Sequence, residues 1–126
     1  MKLSSIAKLQ SGQMSAAEYS AEIAGELAMH SQRLKLQGGV APVQVAEDTD
    51  ILVDRAMLGT LCRLFASGRL TAQELAYTAD ALQMADRVKL SDEDIAADLA
   101  ECTDPEINGP LTVTRALEIA NAGPAA

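Results

Sequence analysis

The residues of this chain whose types and spacing suit chemistry are mainly carboxylates. Asp48, Asp50 and Asp54 form the pattern D-x-D-x-x-x-D, which could ligate Mg²⁺ because hard cations prefer carboxylate oxygens. The same three residues stand at an expected helix start, where acidic side chains cap the backbone and complement the helix dipole. Capping is the simpler interpretation, and a small metal-dependent enzyme using Asp48, Asp50 and Asp54 stays an alternative.

Other patterns of catalysis and cofactor binding are missing from the sequence. The single histidine, His30, has no nucleophile or base beside it in the sequence. Neither common glycine-rich phosphate-binding pattern occurs. Cys62 and Cys102 do not form a recognised metal-binding spacing, even with His30 included. We therefore predict a protein that is not an enzyme and that uses no metal and no cofactor.

Cysteine usage and the apolar profile bear on location. The first residues contain Lys2 and Lys8 but no apolar segment typical of a secretory signal. The sequence holds no run of apolar residues long enough for a transmembrane helix. Cys62 and Cys102 fall in apolar helical patterns, as expected of two buried free thiols in a reducing compartment. A cytoplasmic location without membrane contact is the expectation, and a disulfide between the two cysteines stays open.

Charge and composition exclude some kinds of partner. The chain has 18 acidic and 10 basic residues, a formal net charge of −8, and only 2% aromatic residues. Direct nucleic-acid binding needs clustered Lys and Arg, and commonly aromatic stacking, so it is not expected. The apolar fraction of 48% is that of a folded domain, which argues against disorder over the whole chain.

Negative charge is concentrated in the C-terminal half. Residues 1–46 carry a net charge of +1, whereas residues 68–126 carry −7. Residues 92–106 contain seven acids and no base: Asp92, Glu93, Asp94, Asp98, Glu101, Asp104 and Glu106. On a helix, Asp94, Asp98 and Glu101 share one face, where like charges repel each other. The pattern predicts a docking surface for a basic protein, with Tyr77 and Asp80 of the preceding helix at its border. A merely solvated face is the alternative.

The spacing of apolar residues favours helix throughout. Alanine and leucine, which are strong helix formers, outnumber valine and isoleucine. We predict the all-α fold class: a single domain over residues 1–126 that forms a compact bundle of five or six helices. The expected boundaries are N-terminal helices over 1–37, an extended linker near 38–48, a helical core over 49–122 and a frayed tail at 123–126.

Capping residues predict where the helices begin. Ser15 with Glu18 and Thr71 with Glu74 match the capping box, and Ser91 and Thr112 are further expected caps. The central helix is expected to begin after Asp48 or Thr49 and to bury Ile51, Leu58, Leu61, Cys62 and Phe65. The final helix is expected to bury Val113, Leu117 and either Ile119 or Ala120. Glycines are expected to end three helices, at Gly12, Gly38-Gly39 and Gly68.

One stretch, residues 65–112, resembles a known class of proteins. It contains Phe65-Ala66-Ser67-Gly68-Arg69-Leu70-Thr71, Glu74-Leu75-Ala76-Tyr77, Asp80-Ala81-Leu82, Leu90-Ser91-Asp92-Glu93-Asp94-Ile95 and Asp104-Pro105-Glu106-Ile107-Asn108-Gly109-Pro110-Leu111-Thr112. In outline it is similar to small acidic helical immunity proteins, which bacteria make against secreted toxins. The resemblance implies a cytoplasmic, non-enzymatic inhibitor that binds a toxin domain tightly. It implies that general role and no role for any single residue.

These observations together predict an immunity-type inhibitor. Its acidic surface would neutralise a basic secreted toxin domain, the expected partner. A structural or regulatory homo-oligomer, such as a homodimer, is the alternative. It would associate through residues 3–36, using the stripe Tyr19, Ile23, Leu27 and Leu34.

Overall fold

The structure, a computed structural model, describes residues 1–36, 45–103 and 111–122. In these ranges it is a mostly helical single domain, which confirms the predicted fold class. None of the helices described is long and apolar enough to cross a membrane. The elements are α1 (Leu3–Ser11), α2 (Ala16–Leu36), β1 (Ile51–Val53), α3 (Arg55–Ala66), α4 (Ala72–Met84), β2 (Val88–Leu90), α5 (Glu93–Glu101) and α6 (Val113–Asn121).

Three of the predicted helix starts are confirmed. In α4 the Thr71 hydroxyl accepts from the Glu74 amide at 3.0 Å, and the Glu74 carboxylate accepts from the Thr71 amide at 2.8 Å. Ser15 and Glu18 form the same reciprocal pair before α2. Thr112 accepts from the Arg115 amide and begins α6. Each pair satisfies backbone donors that the first helical turn leaves without a partner.

Glycines with positive φ end two helices, as expected. Gly12 follows α1 with φ +83°, and Gly68 follows α3 with φ +80°. A side chain at either position would be strained in this left-handed conformation, so glycine is the favoured residue. Gly38-Gly39, the third expected stop, lies outside the described residues.

The predicted start of the central helix is wrong. Ile51, Leu52 and Val53 form the strand β1, and α3 begins at Arg55 with Asp54 as its N-cap. The Asp54 carboxylate accepts from the Met57 amide at 2.9 Å. Ile51 is therefore buried as predicted, but it belongs to a strand and not to the helix. Because successive side chains of a strand point to opposite faces, Leu52 is exposed.

The strands β1 and β2 form a parallel two-stranded sheet that the sequence analysis missed. Ile51 pairs with Val88 and Val53 with Leu90, and α3 and α4 lie in the connection between the strands. The last hydrogen bond of this ladder runs from the Ser91 amide, just after β2, to the Val53 carbonyl at 3.0 Å. The Ser91 amide is thus bonded to β1, and Asp92 rather than Ser91 caps α5.

Part of the predicted linker packs against the start of the chain. Ala46 forms a parallel bridge with Lys2, and the Asp48 carboxylate accepts from the amide and the hydroxyl of Ser4. Residues 45–48 are therefore extended and held in place. The remaining linker residues, 38–44, and the predicted frayed tail, 123–126, lie outside the described residues.

Helix α3 is the centre of the packing, and α6 lies closest against it. Leu58 and Leu61 of α3 are fully buried. Gly59 permits the close approach of α6: a Cβ atom at this position would lie 3.3 Å from the Ala120 carbonyl oxygen. The Arg63 guanidinium donates to the same carbonyl at 3.3 Å. A small residue at position 59 thus sets the distance between the two helices.

The buried face of α6 differs from the prediction. Ala116, Ile119 and Ala120 are buried, whereas Val113 and Leu117 are 48% and 40% exposed. The expected burial of Ile119 or Ala120 is confirmed, and that of Val113 and Leu117 is wrong. Residues 113 and 117 lie on one side of the helix and 116 and 120 on another, and the close contact at Gly59 turns the second side inward.

Tyr19, Ile23 and Leu27, three residues of the predicted apolar stripe of α2, pack inside their own chain. Tyr19 and Ile23 are fully buried, and Leu27 is partly buried. The Tyr19 hydroxyl lies 2.6 Å from the Thr78 hydroxyl of α4, and burial raises the pKa of Tyr19. Tyr19 therefore links α2 to α4, and both Tyr19 and Ile23 are buried inside the chain, where a second copy would not reach them.

Enlarging Gly59 tests the α3–α6 contact. We expect Gly59→Leu to lower the free energy of unfolding by about 1–3 kcal/mol, because the new side chain would push α6 away from α3. Gly25→Leu in α2 is the matched control. A Cβ atom at Gly25 meets nothing within 4 Å, so this change should raise stability by up to about 1 kcal/mol through helix propensity. Equal effects in urea unfolding would contradict the contact.

Candidate functional site

Four acidic residues lie at the same end of the sheet. Parallel strands have their carboxyl ends at one edge, and here each strand leads directly into a helix. Asp54 follows β1 at the start of α3, and Asp92, Glu93 and Asp94 follow β2 at the start of α5. The hydrogen bond from the Ser91 amide to the Val53 carbonyl holds the starts of α3 and α5 side by side. We call Asp54, Asp92, Glu93 and Asp94 the acidic patch.

The carboxylates of the acidic patch are exposed and keep their negative charge available. Asp54 and Asp92 accept only the amides of their own helix starts, Met57 and Ile95, each at 2.9 Å. None of the four side chains forms an ion pair with a cation in residues 1–36, 45–103 or 111–122. The positive ends of the two helix dipoles stabilise this concentration of charge. The patch is therefore a negative surface that the fold itself tolerates.

Asp98, one of the predicted docking residues, is engaged within the fold. Its carboxylate lies 2.7 Å from Arg55 Nη1 and 3.6 Å from Arg115, and only 18% of its side chain is exposed. Arg55 Nη1 also donates to the Ile119 carbonyl of α6 at 3.2 Å. The side chain of Asp98 therefore joins α5 to α3 and, through Arg55, to α6.

Glu101 is neutralised in a similar way. Arg115 of α6 donates through Nε at 2.5 Å and through Nη2 at 3.0 Å to the two Glu101 carboxylate oxygens. This bidentate hydrogen bonding holds the pKa of Glu101 below its usual value. Asp98 and Glu101 thus pair with arginines, whereas Asp94, on the same helix, forms no ion pair with the described residues.

Tyr77 and Asp80, which were predicted at the border of the docking surface, are not part of the exposed patch. Tyr77 is only 4% exposed, and its ring contacts the His30 ring edge-on at 5.1 Å between centroids. Burial raises the pKa of Tyr77. Asp80 is partly buried in α4. Tyr77 is thus a residue of the core rather than a surface anchor, and Asp104 and Glu106 lie outside the described residues.

The D-x-D-x-x-x-D carboxylates have separate tasks. Hydrogen bonds from Ser4 lower the pKa of Asp48, and the Arg87 guanidinium, 2.8 Å away, lowers that of Asp50. Asp54 caps α3. Among the described residues, no group of three or more His, Cys, Asp or Glu side chains is arranged to hold a metal ion. The three carboxylates of this pattern therefore point to different structural partners.

The opposite end of the sheet has a different character. A surface cavity of about 510 Å³ is lined by Asp50, Ile51, Leu52, Asp86, Arg87 and Lys89. Arg87 is occupied there, because its guanidinium bonds the Asp50 carboxylate and the Glu47 carbonyl. Both signs of charge line this cavity, whereas the acidic patch at the other end of the sheet consists of carboxylates alone.

Comparison of the chain with protein-family models, with curated proteins and with solved structures found no match. The fold and the site therefore define its class on their own terms. It is a mostly helical single domain with a two-stranded parallel sheet and an exposed acidic patch at the carboxyl edge of that sheet.

Removing the Arg55 guanidinium tests its structural role. We expect Arg55→Met to lower the free energy of unfolding by about 2 kcal/mol, because Asp98 and the Ile119 carbonyl lose a partly buried donor. Arg69→Met is the control, since Arg69 is exposed and forms no ion pair with the residues that the structure describes. Its effect should stay within about 0.5 kcal/mol in the same urea titration. Equal losses would show that Arg55 does not hold the helices.

The Glu101–Arg115 pair predicts a pH dependence. The pKa of Glu101 is lowered in the folded protein, so its stabilising effect is complete above the unfolded value of about 4.5. That effect is lost as the pH falls through the folded pKa. We therefore expect Glu101→Gln to melt at a lower temperature than the native chain at pH 7. The difference between the two melting temperatures should disappear at acidic pH. A difference in melting temperature that stays constant down to about pH 2 would contradict the ion pair.

Proposed function

We propose that this protein is a non-enzymatic binding module that docks on a basic protein through the acidic patch. The observation that carries the proposal is the acidic patch itself: four exposed carboxylates at one edge of the sheet, without ion pairs to the described residues. Elsewhere on α5, Asp98 and Glu101 are bound by arginines. Carboxylates that are not paired with a cation of the described residues are available to a cationic partner.

The patch suits electrostatic docking for two reasons. First, the net charge of −8 gives the whole molecule a negative field, and the patch concentrates it at one place. Complementary fields raise association rates to roughly 10⁸ M⁻¹s⁻¹ or more at low salt. Second, Asp54 and Asp92 are held rigidly by their capping bonds, so little side-chain entropy is lost when a cationic surface binds.

The partner we propose is a secreted toxin domain with a cationic active site. A toxin that cleaves nucleic acid must hold phosphates with Lys or Arg around its cleft, and an acidic inhibitor presents the complementary charge. The resemblance of residues 65–112 to small acidic helical immunity proteins supports the same class of partner. In this proposal the protein acts by stoichiometric occlusion of the toxin's active site.

Charge reversal in the patch tests the proposal. The native chain is first used to capture cationic proteins from its host at low salt, and a captured protein is purified for kinetic measurements. Glu93→Lys/Asp94→Lys leaves both N-caps intact, so α5 should still form. We expect this variant to lose about tenfold or more in association rate at low salt and to show a flatter dependence on salt.

The control changes the net charge equally at other places. Glu22→Lys/Asp86→Lys alters exposed residues of α2 and of the opposite end of the sheet. This variant should keep most of the association rate, and it should still protect cells that express the captured toxin, whereas Glu93→Lys/Asp94→Lys should not. Equal rates for the two variants would reject the patch as the docking site, and failure of the native chain to protect would reject the inhibitor role.

A further inference from the structure

The two cysteines of the chain lie together in the core. Cys62 is in the middle of α3, and Cys102 is the C-cap of α5. Their sulfur atoms are 4.0 Å apart, and the residues are 0% and 2% exposed. Both are free thiols. Because forty positions separate them in the sequence, only the packing of α5 on α3 brings these sulfurs into contact.

The surroundings make the two thiols unequal. The Cys102 thiol, within hydrogen-bonding distance, lowers the pKa of Cys62. The same contact and burial raise the pKa of Cys102, whose sulfur also lies 3.4 Å from the Asp98 carbonyl oxygen. A thiolate is the nucleophile in thiol chemistry, and the 4.0 Å contact places the second thiol where it can resolve the first. The direction of the two pKa shifts favours Cys62 as the nucleophile and Cys102 as the resolving thiol.

We propose that Cys62 and Cys102 form a reversible modification site, at which a peroxide converts the two thiols to a disulfide that joins α3 to the end of α5. The contact between the sulfurs carries this inference, which is independent of the proposed binding partner.

The reaction balances with hydrogen peroxide as the oxidant. The Cys62 thiolate attacks one peroxide oxygen, the O–O bond breaks, and Cys62 becomes a sulfenic acid while hydroxide leaves as water. The Cys102 sulfur then attacks the Cys62 sulfur, the S–S bond forms, and the sulfenic oxygen leaves as a second water. Two thiols are oxidised by two electrons, and one peroxide is reduced to two waters.

The geometry requires only a small movement. A disulfide bond is about 2.05 Å long, so the sulfurs must approach each other by about 2 Å. Cys102 is at the end of α5, where a helix opens most easily, and this opening would also admit the oxidant to the buried pair. Reduction by a dithiol reverses the step by thiol–disulfide exchange.

The consequence is a tighter connection in the oxidised chain. The new bond would close a loop that contains the end of α3 and all of α4, β2 and α5. A loop of this length restricts the unfolded chain strongly, so the oxidised protein should resist unfolding more than the reduced one. Oxidation would fix the position of α5, whose N-cap and first turn carry three residues of the acidic patch.

Thiol counting and mass measurement test the site in the native chain. The folded, reduced protein is incubated with hydrogen peroxide, and its thiols are then counted in denaturant, because they are buried in the native state. We expect the count to fall from two to none and the mass to fall by about 2 Da, the two hydrogens lost on disulfide formation. The melting temperature should rise by roughly 10 °C, and dithiothreitol should restore every value.

Cys62→Ala and Cys102→Ala are the control variants. Each should keep one thiol or gain oxygen on peroxide treatment, and neither should gain thermal stability. If a variant does not fold, the measurements on the native chain are sufficient to test the proposal. A native chain that retains two thiols, gains oxygen without losing hydrogen, or forms only disulfide-linked dimers would overturn the proposal.

Discussion

The arrangement of the C-terminal half depends on one guanidinium at the first turn of α3. Arg55 reaches the Asp98 carboxylate of α5 and the Ile119 carbonyl of α6, so it joins three helices that are distant in sequence. On the same helix, Gly59 lets α6 approach closely, and Arg63 bonds the Ala120 carbonyl. Polar contacts at two levels of α3 thus fix α6, while apolar side chains between them exclude water. The position of α5 follows from the same contacts.

Local signals predicted much of this fold, and long-range pairing was missed. The capping boxes at Ser15 and Thr71 are confirmed because a helix start is decided by residues three positions apart. The sheet could not be predicted from such local signals. Each strand has three residues, and Ile51–Val53 continues the apolar periodicity of α3, so the two elements look like one helix. Only the partner strand, Val88–Leu90, distinguishes them, and its distance in sequence hides it.

The candidate site shows the same division. The acidic segment was predicted as a surface, and Glu93 and Asp94 are exposed as expected. Spacing on a helix tells which residues share a face, but it does not tell which arginines of other helices will reach that face. Asp98 was therefore assigned to a partner although Arg55 already binds it. Asp54 was missed as a patch residue for the converse reason, because its neighbour across the sheet is far away in the sequence.

The carboxylates of Asp54 and Asp92 cap helices and also contribute charge to the acidic patch. Asn caps a helix about as well as Asp, so the charge at positions 54 and 92 can change by a single substitution while both helix starts persist. The charge of the surface can therefore vary at these two positions almost independently of folding. Such a change needs no compensating substitution in the hydrophobic interior.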